Sequence, residues 1–358
     1  MKTTFGSDNF SSVDPAVINF LSEINQQGHA QSYDGDEITK QARNEFKKVF
    51  GEDIDVLFQA HSTPTVRSWE VYFVSTGTAA NVLSLKLLLE KPYDAVITSS
   101  VSHVYEEETG ALAANTTAQI FPLTHKNGKI TLEDLKKDVA MRRALGEHSA
   151  NPKVLSVANP TETGAVYTVE ELRSFADFCH QNDMYFHIDG ARLPNAAAYL
   201  GEGLREITRD IGADVLSFGG AKNGLMNAEA VVIFNAQKNS LLHMQKQVMQ
   251  LNSKVRYISG QFIPYLSQNL WLKNAQRANE LAQKIADALR AQNTEFTQPF
   301  ETNQIFCKLP ENARNKLREV GHQFYDWNSP DEIRLVTSWD SSEEDVEQLI
   351  SDIQSLAL

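Results

Sequence analysis

From residue 69 onward, short runs of β-branched and aromatic residues alternate with longer amphipathic segments. "WEVYFVST" precedes "GTAANVLSLKLLLE", "DAVITSS" precedes "HVYEEETGALAA", and "AQIFPL" precedes "ITLEDLKKDVAMRRAL". Two more pairs follow, "KVLSVAN" with "TVEELRSFADFCHQN" and "MYFHID" with "ARLPNAAAYLG". Strand and helix in alternation predict an α/β fold, a mostly parallel sheet with helices on both faces. Thr131 and Thr168 mark helix starts, since each is followed three residues later by an acid, Asp134 and Glu171. Glu106, Glu107 and Glu108 read as the solvated first turn of a helix, favoured there by its dipole.

"DVLSF" and "EAVVIF" break the alternation, because the loop between them is too short for a crossover helix. They are expected as antiparallel neighbours. That loop holds Lys222 among glycines, alanines and apolar residues, without the acidic neighbours a solvated lysine would have. After Asn235 the pattern turns long and helical, and residues 296–358 read as a small mixed unit. The expected organisation is an N-terminal arm over residues 1–30, a large domain over 31–245, and connecting helices with a small C-terminal α+β domain over 246–358.

Length and composition narrow the function classes. With 358 residues, 42% of them hydrophobic, the chain can bury a large core. A formal net charge of −13, with no basic cluster, argues against nucleic acid as a partner. Cys179 and Cys307 are the only cysteines, too few for a disulfide framework or a cysteine zinc site, and both read as buried thiols in a reducing compartment. "MKTTFGSDNFSSVDP" lacks the apolar segment of a secretory signal, and no apolar stretch approaches the roughly 20 residues that span a bilayer. A cytoplasmic protein without membrane or metal partners is expected.

Four features fall where strands end. "VSTGTAAN" is a strand, a glycine turn and a helix start, and the N–H groups near Gly77 and Thr78 suit a phosphate. No GxGxxG follows, so this is not the dinucleotide fingerprint. In "YFHIDGARL", Asp189 closes an apolar strand, where ligands bind in open α/β sheets; pairing with Arg192 would be the purely structural alternative. His103 also follows a strand, as a structural histidine or a ring that stacks on a ligand. Together with Lys222 these parts suffice to hold pyridoxal 5′-phosphate: a phosphate cradle, a stacking ring, a carboxylate that keeps the pyridine nitrogen protonated, and an amine that forms the Schiff base. An amine desolvated among small residues holds its proton less tightly, as an attacking amine must.

Taken in order, "FGSDNFSS", "SYDGDEIT", "STGTAANVLSL", "SHVYEEETGA", "FHIDGARLPNA", "DVLSFGGAKNG" and "IRLVTSWD" resemble the threonine aldolase family of fold-type I pyridoxal-phosphate enzymes. The resemblance covers nearly the whole chain and is closest to the bacterial low-specificity L-threonine aldolases. It implies that Lys222 carries the cofactor, His103 stacks on the ring, Asp189 binds the pyridine nitrogen, and Gly77 and Thr78 hold the phosphate. Ser7, Arg192 and Arg334 are implied to converge on the substrate carboxylate. Arg256 resembles a basic residue sent to a neighbouring subunit's cofactor phosphate, Tyr33 an active-site tyrosine near that interface, and His125 a histidine near the substrate hydroxyl. Ala221 stands where many relatives carry Ser, Thr or Cys.

The implied reaction is retro-aldol cleavage of a β-hydroxy-α-amino acid such as L-threonine or L-allo-threonine to glycine and an aldehyde. His103, His125 and an ordered water are the candidate bases. A phenylserine-preferring aldolase, a β-eliminating lyase and a non-catalytic cofactor binder are the competing readings. The resemblance also implies a homo-oligomer with its active site at a subunit interface, a symmetric dimer at least and a tetramer as the expected assembly.

Overall fold

The computed structural model describes residues 4–51, 70–236 and 241–356. Seven strands form the main sheet: β1 (Glu70–Val74), β2 (Asp94–Ser99), β3 (Gln119–Leu123), β4 (Asn151–Ala158), β5 (Tyr185–Gly190), β6 (Val215–Gly219) and β7 (Glu229–Ile233). Trp69, where the first strand was expected to begin, lies outside the described residues. The spatial order is β1-β7-β6-β5-β4-β2-β3. Neighbours from β3 through β6 pair in parallel, whereas β7 is antiparallel to both β6 and β1. The expected antiparallel pair is therefore present, with Gly219 opposite Glu229.

This topology has a functional consequence. Six strands run one way and β7 runs the other, so six carboxyl ends and the amino end of β7 share one edge of the sheet. Gly77, His103, Glu162, Asp189, Lys222 and Glu229 all lie at that edge, the position where open α/β sheets bind ligands.

The helices that cover the sheet begin where the sequence marks them. Thr131 caps Leu132–Ala144 by accepting the N–H of Asp134, and Thr168 and Glu171 form a reciprocal capping box at the start of Val169–Gln181. One expectation fails. The stretch after β2 is not a single helix but two short ones, His103–Glu106 and Ala111–Thr116, parted by Thr109 and Gly110, which both adopt positive φ. That break turns Glu108 inward, where it is 3% exposed, in place of the solvated turn its charge suggests.

Beneath the sheet, Phe46 meets Phe73, Phe218 and Phe262 with ring centroids 5.0–5.9 Å apart. All four rings are buried, and full burial of each contributes about 1.5–3 kcal/mol. A second sheet, β8 (Gln304–Lys308), β9 (Tyr325–Asp326) and β10 (Glu332–Val336), is antiparallel in the order β8-β10-β9. The 22-residue helix Leu270–Ala291 joins the two parts, packing on Leu193–Leu200 and on Glu343–Ser355. Phe5 is fully buried in the core of the second part. Its N–H reaches the carbonyl of Gln323 and its carbonyl accepts the N–H of Val336, which pins the N-terminal segment to the second sheet. Among the described residues no helix is long and apolar enough to cross a membrane.

Candidate active site

Lys222 sits on a single 3₁₀ turn, Ala221–Asn223, immediately after β6. The approach to it requires small residues. A Cβ on Gly219 would stand 2.7 Å from the Cα of Ala191, and one on Gly220 would stand 2.8 Å from the carbonyl of Ala228. Both flanks of the lysine are tied. Glu229 accepts the N–H of Gly220 at 3.1 Å and that of Ala221 at 3.4 Å, while Asn223 donates to the Tyr265 hydroxyl at 2.7 Å and to the Trp271 carbonyl at 2.9 Å. The amine itself makes no hydrogen bond or ion pair with a described residue. Burial pushes its pKa down, the Arg192 charge adds to the effect, and Asp8, Asp189 and Glu229 oppose it. Glu229 is pushed up to about 7, by its own burial above all.

Asp189 closes β5 and is not the partner of Arg192. Its Oδ2 accepts from Asn81 Nδ2 at 2.7 Å, and its Oδ1 accepts the N–H of Ala191 at 3.0 Å. The same Asn81 nitrogen donates to Glu108 Oε1 at 2.9 Å, and that oxygen also accepts from Nδ1 of His103 at 2.9 Å. A continuous hydrogen-bonded path thus runs from His103 through Glu108 and Asn81 to Asp189. The hydrogen bond to Glu108 holds the His103 pKa above its ordinary value, against the opposing effect of burial. Glu162 fixes the backbone of the same residue, accepting the His103 N–H at 2.8 Å. Its carboxyl is pushed up to about 7, chiefly by burial.

Arg192 pairs with Asp8 of the N-terminal segment, Nε to Oδ2 at 2.6 Å and Nη2 to Oδ1 at 2.8 Å. Asn303 adds a third donor to Asp8 at 3.1 Å. Burial alone would raise the Asp8 carboxyl, but the Arg192 charge and hydrogen bonds prevail and hold it below the usual carboxylate range. Arg334 extends from β10 into the same region. Its Nη2 donates to the Gly6 carbonyl at 3.0 Å, its guanidinium lies 4.5 Å from the ring centre of Trp327, and its buried Nε has no partner among the described residues. Ser7 is buried beside them, and its hydroxyl accepts the N–H of Asn9 at 3.2 Å.

At the start of the helix Gly77–Leu88, Thr76 caps the N–H of Ala79 and leaves those of Gly77 and Thr78 without a described acceptor. A Cβ on Gly77 would meet nothing within 4 Å, so the ground before these donors is open. Lys222, Asp189, His103, Arg192, Glu162, Glu229 and Gly77 all line one open cavity, about 550 Å³ with the solvent at its mouth included. Its two unlike ends, free N–H donors at one and a carboxylate at the other, could hold a flat anionic cofactor beside the amine.

Six expected site residues lie outside this cavity's lining: Ser7, Thr78 and Arg334, which stand near it as described above, and His125, Tyr33 and Arg256. His125 follows the edge strand β3, and its Nδ1 accepts the N–H of Gly128 at 2.9 Å within a tight turn. That turn packs against Thr161, which does line the cavity. Tyr33 is 41% exposed at a positive φ, with its N–H on the Ser253 carbonyl. Arg256 donates to the hydroxyl of Tyr257 at 3.3 Å. Conversely, Asp8, Asn81, Glu108, Glu162, Glu229 and Asn303 were not singled out from sequence. A signal existed for Glu229 alone, an acid at the head of an otherwise apolar strand directly after the lysine loop.

The model of the β-eliminating lyase family matches residues 4–312. The chain is 33% identical over 355 residues to the low specificity L-threonine aldolase of Pseudomonas sp. (strain NCIMB 10558), covering 98% of this chain and 97% of that protein. The low specificity L-threonine aldolase of Pseudomonas aeruginosa is 33% identical over 354 residues, covering 98% and 96%. A solved structure of Leishmania major threonine aldolase superposes with a TM-score of 0.89 at 26% identity, covering 99% of each chain. A NifS-like protein, 17% identical with a TM-score of 0.69, shares the fold alone. The architecture is the expected fold-type I α/β arrangement with a small antiparallel sheet beside it. The chain belongs to the β-eliminating lyase family, among the low-specificity L-threonine aldolases.

Proposed function

We propose that this protein is a pyridoxal 5′-phosphate-dependent aldolase that cleaves L-threonine, L-allo-threonine and related β-hydroxy-α-amino acids to glycine and an aldehyde. The observation that carries the reading is Lys222, a desolvated amine without a partner among the described residues, in one cavity with Asp189 and His103 and beside two N–H groups without a described acceptor. The residues fit the cofactor on their own chemistry. Gly77 and Thr78 would take the phosphate, His103 would lie against the ring, Asp189 would keep the ring nitrogen protonated, and Lys222 would hold the cofactor covalently through Nζ. When bound, the cofactor supplies an electron sink for the bonding pair released at Cα.

The remaining work falls to side chains. Arg334, whose Nη1 makes no hydrogen bond with a described residue, is the primary clamp for the substrate carboxylate, and Ser7 and the free edge of Arg192 complete its seat. Holding that carboxylate turns the Cα–Cβ bond toward the orientation in which it breaks. Asp8 keeps Arg192 in place, so the arm and the cofactor domain act as one site.

We further propose that the working unit is a homodimer or a pair of dimers, with Arg256 or Tyr33 reaching a neighbour's cofactor. Met249, 86% exposed, and Tyr33 give that side of the molecule apolar surface to cover. Cys179 and Cys307 are free and buried, which suits the reducing cytoplasm to which we assign the protein.

The test is aldehyde release from L-threonine, L-allo-threonine, L-phenylserine and L-serine, with and without pyridoxal 5′-phosphate, for the unaltered chain and Lys222→Ala. Cofactor-dependent cleavage of threonine that Lys222→Ala abolishes is the expected result. Pyruvate and ammonia from serine, without aldehyde from threonine, would replace the aldolase by a β-eliminating lyase.

A further inference from the structure

Releasing an aldehyde from a β-hydroxy-α-amino acid requires that the hydroxyl proton leave, so the cavity needs an acceptor with a lone pair open to the substrate. Its carboxylates differ in what they have left. Asp189 has both oxygens engaged, by Asn81 and by the N–H of Ala191. Asp8 has both held by Arg192. Glu229 spends one on Gly220 and the other on Ala221. Glu108 gives Oε1 to Asn81 and His103, and its Oε2 is sealed in the interior. Among the described carboxylates Glu162 keeps the most open oxygen at the cavity: Oε1 accepts the His103 N–H, the residue's own backbone N–H lies against the carboxyl, no other described residue donates to Oε2, and the side chain lines the wall beside Arg192. His103 is the competing acceptor. Its Nδ1 is committed to Glu108, and that bond favours the charged ring, which makes Nε2 a donor.

We propose that Glu162 is the base that takes the β-hydroxyl proton, an inference that rests on the aldolase reading above. The O–H bond breaks and its proton moves to Oε2 of Glu162. The O–H electron pair becomes the second C–O bond of the departing aldehyde, and the Cα–Cβ pair stays with the glycine fragment, which gains one proton at Cα before it leaves. One proton is lost at oxygen and one gained at carbon, so the balance closes without a further reactant.

The groups that face this carboxyl are Asp189, His103 and Arg192. Burial sets its pKa at about 7, with Asp189 adding to the rise and His103 opposing it, which matches a base that must take up and release a proton near neutral pH.

The experiment uses the full chain loaded with pyridoxal 5′-phosphate and the variant Glu162→Gln, and it measures two reactions of the same site. Cleavage of L-threonine should fall by about 10²–10⁴-fold. Exchange of the glycine α-hydrogen with solvent deuterium, which involves no hydroxyl, should stay close to the unaltered rate. The third readout is the thermal midpoint against pH without added cofactor. An acid raised from 4.5 to about 7 stabilises the fold below 4.5, and that contribution is lost as pH rises toward 7, so the unaltered chain should weaken more steeply across this window than the variant. Glu162→Asp, which keeps the carboxylate and withdraws it by one methylene, serves if the amide variant does not fold, and it should slow cleavage while sparing exchange. Undiminished cleavage, an equal loss of both reactions, or an unchanged stability profile would overturn the assignment. An unaltered chain that cleaves no hydroxy amino acid would instead sink the aldolase reading itself.

Discussion

Asp8 and Arg192, 184 residues apart in the chain, form a two-point ion pair in which Nε and Nη2 of the arginine each meet one carboxylate oxygen, at 2.6 and 2.8 Å. Asp8 is 1% exposed, so the pair is screened little by solvent. Removing one partner leaves the other charge buried and uncompensated. Asp8→Ala should therefore cost about 3–5 kcal/mol, and it should raise KM for threonine because Arg192 loses its orientation. The lowered Asp8 pKa carries a pH signature. Its contribution is present above the unfolded value of 3.8 and is lost as pH falls through the lower folded value. Thermal denaturation of the variant against pH checks both, since its acid-side decline should be shallower than that of the unaltered chain.

Glu108 bonds Nδ1 of His103 and favours the charged ring. Glu108→Gln keeps the side chain's volume and removes its charge, so the His103 pKa should fall toward 6.5. A raised histidine stabilises the fold below its unfolded value and loses that contribution as pH rises through the folded one. The variant should be destabilised at acid pH and little changed at alkaline pH. Nuclear magnetic resonance titration of the ring would read the shift directly, and an unmoved titration would show that the bond to Glu108 does not govern this histidine.

Glu229 accepts both N–H groups that precede Lys222, and an amide cannot reproduce both contacts. Glu229→Gln should cost about 1–3 kcal/mol near its unfolded pKa of 4.5, where the carboxyl side chain is best accommodated. The group is raised to about 7, so its contribution is lost as pH climbs from 4.5 toward 7, and the penalty should shrink over that range. Calorimetry at the two ends of this window measures the difference.

Arg256 does not line the cavity of its own chain, and among the described residues its side chain donates to the hydroxyl of the adjacent Tyr257. If it serves a neighbour's site, mixing Lys222→Ala subunits with Arg256→Ala subunits, each inactive alone, should restore up to one working site per dimer. Proven subunit exchange without recovered activity would confine Arg256 to its own subunit or exclude it from the reaction.

The frame of the site was legible along the chain. Alternating strand and helix patterns dictate a parallel sheet, Thr168 and Glu171 dictate where a helix begins, and a loop too short for a crossover dictates that β7 reverses beside β6. These are local rules of period, capping and connection length, which neighbouring residues carry on their own. Lys222 and Asp189 were legible for the same reason, each being a polar residue at the end of an apolar run.

How the charges are shared emerges only on folding. Arg192 lies three residues from Asp189, yet it turns to Asp8, because the N-terminal segment, pinned to the second sheet through Phe5, brings a carboxylate to it. Asp189 turns instead to Asn81, a residue that reads as an ordinary helix position. Glu108 looks solvated in a row of three glutamates and becomes buried because Thr109 and Gly110 break the helix and turn it inward. A buried charge must find a partner, but nothing in periodicity says which of several distant groups will arrive within 3 Å. That choice depends on the register and packing of elements far apart in the chain, and here it determines which oxygens are spent and which one, on Glu162, remains open to the substrate.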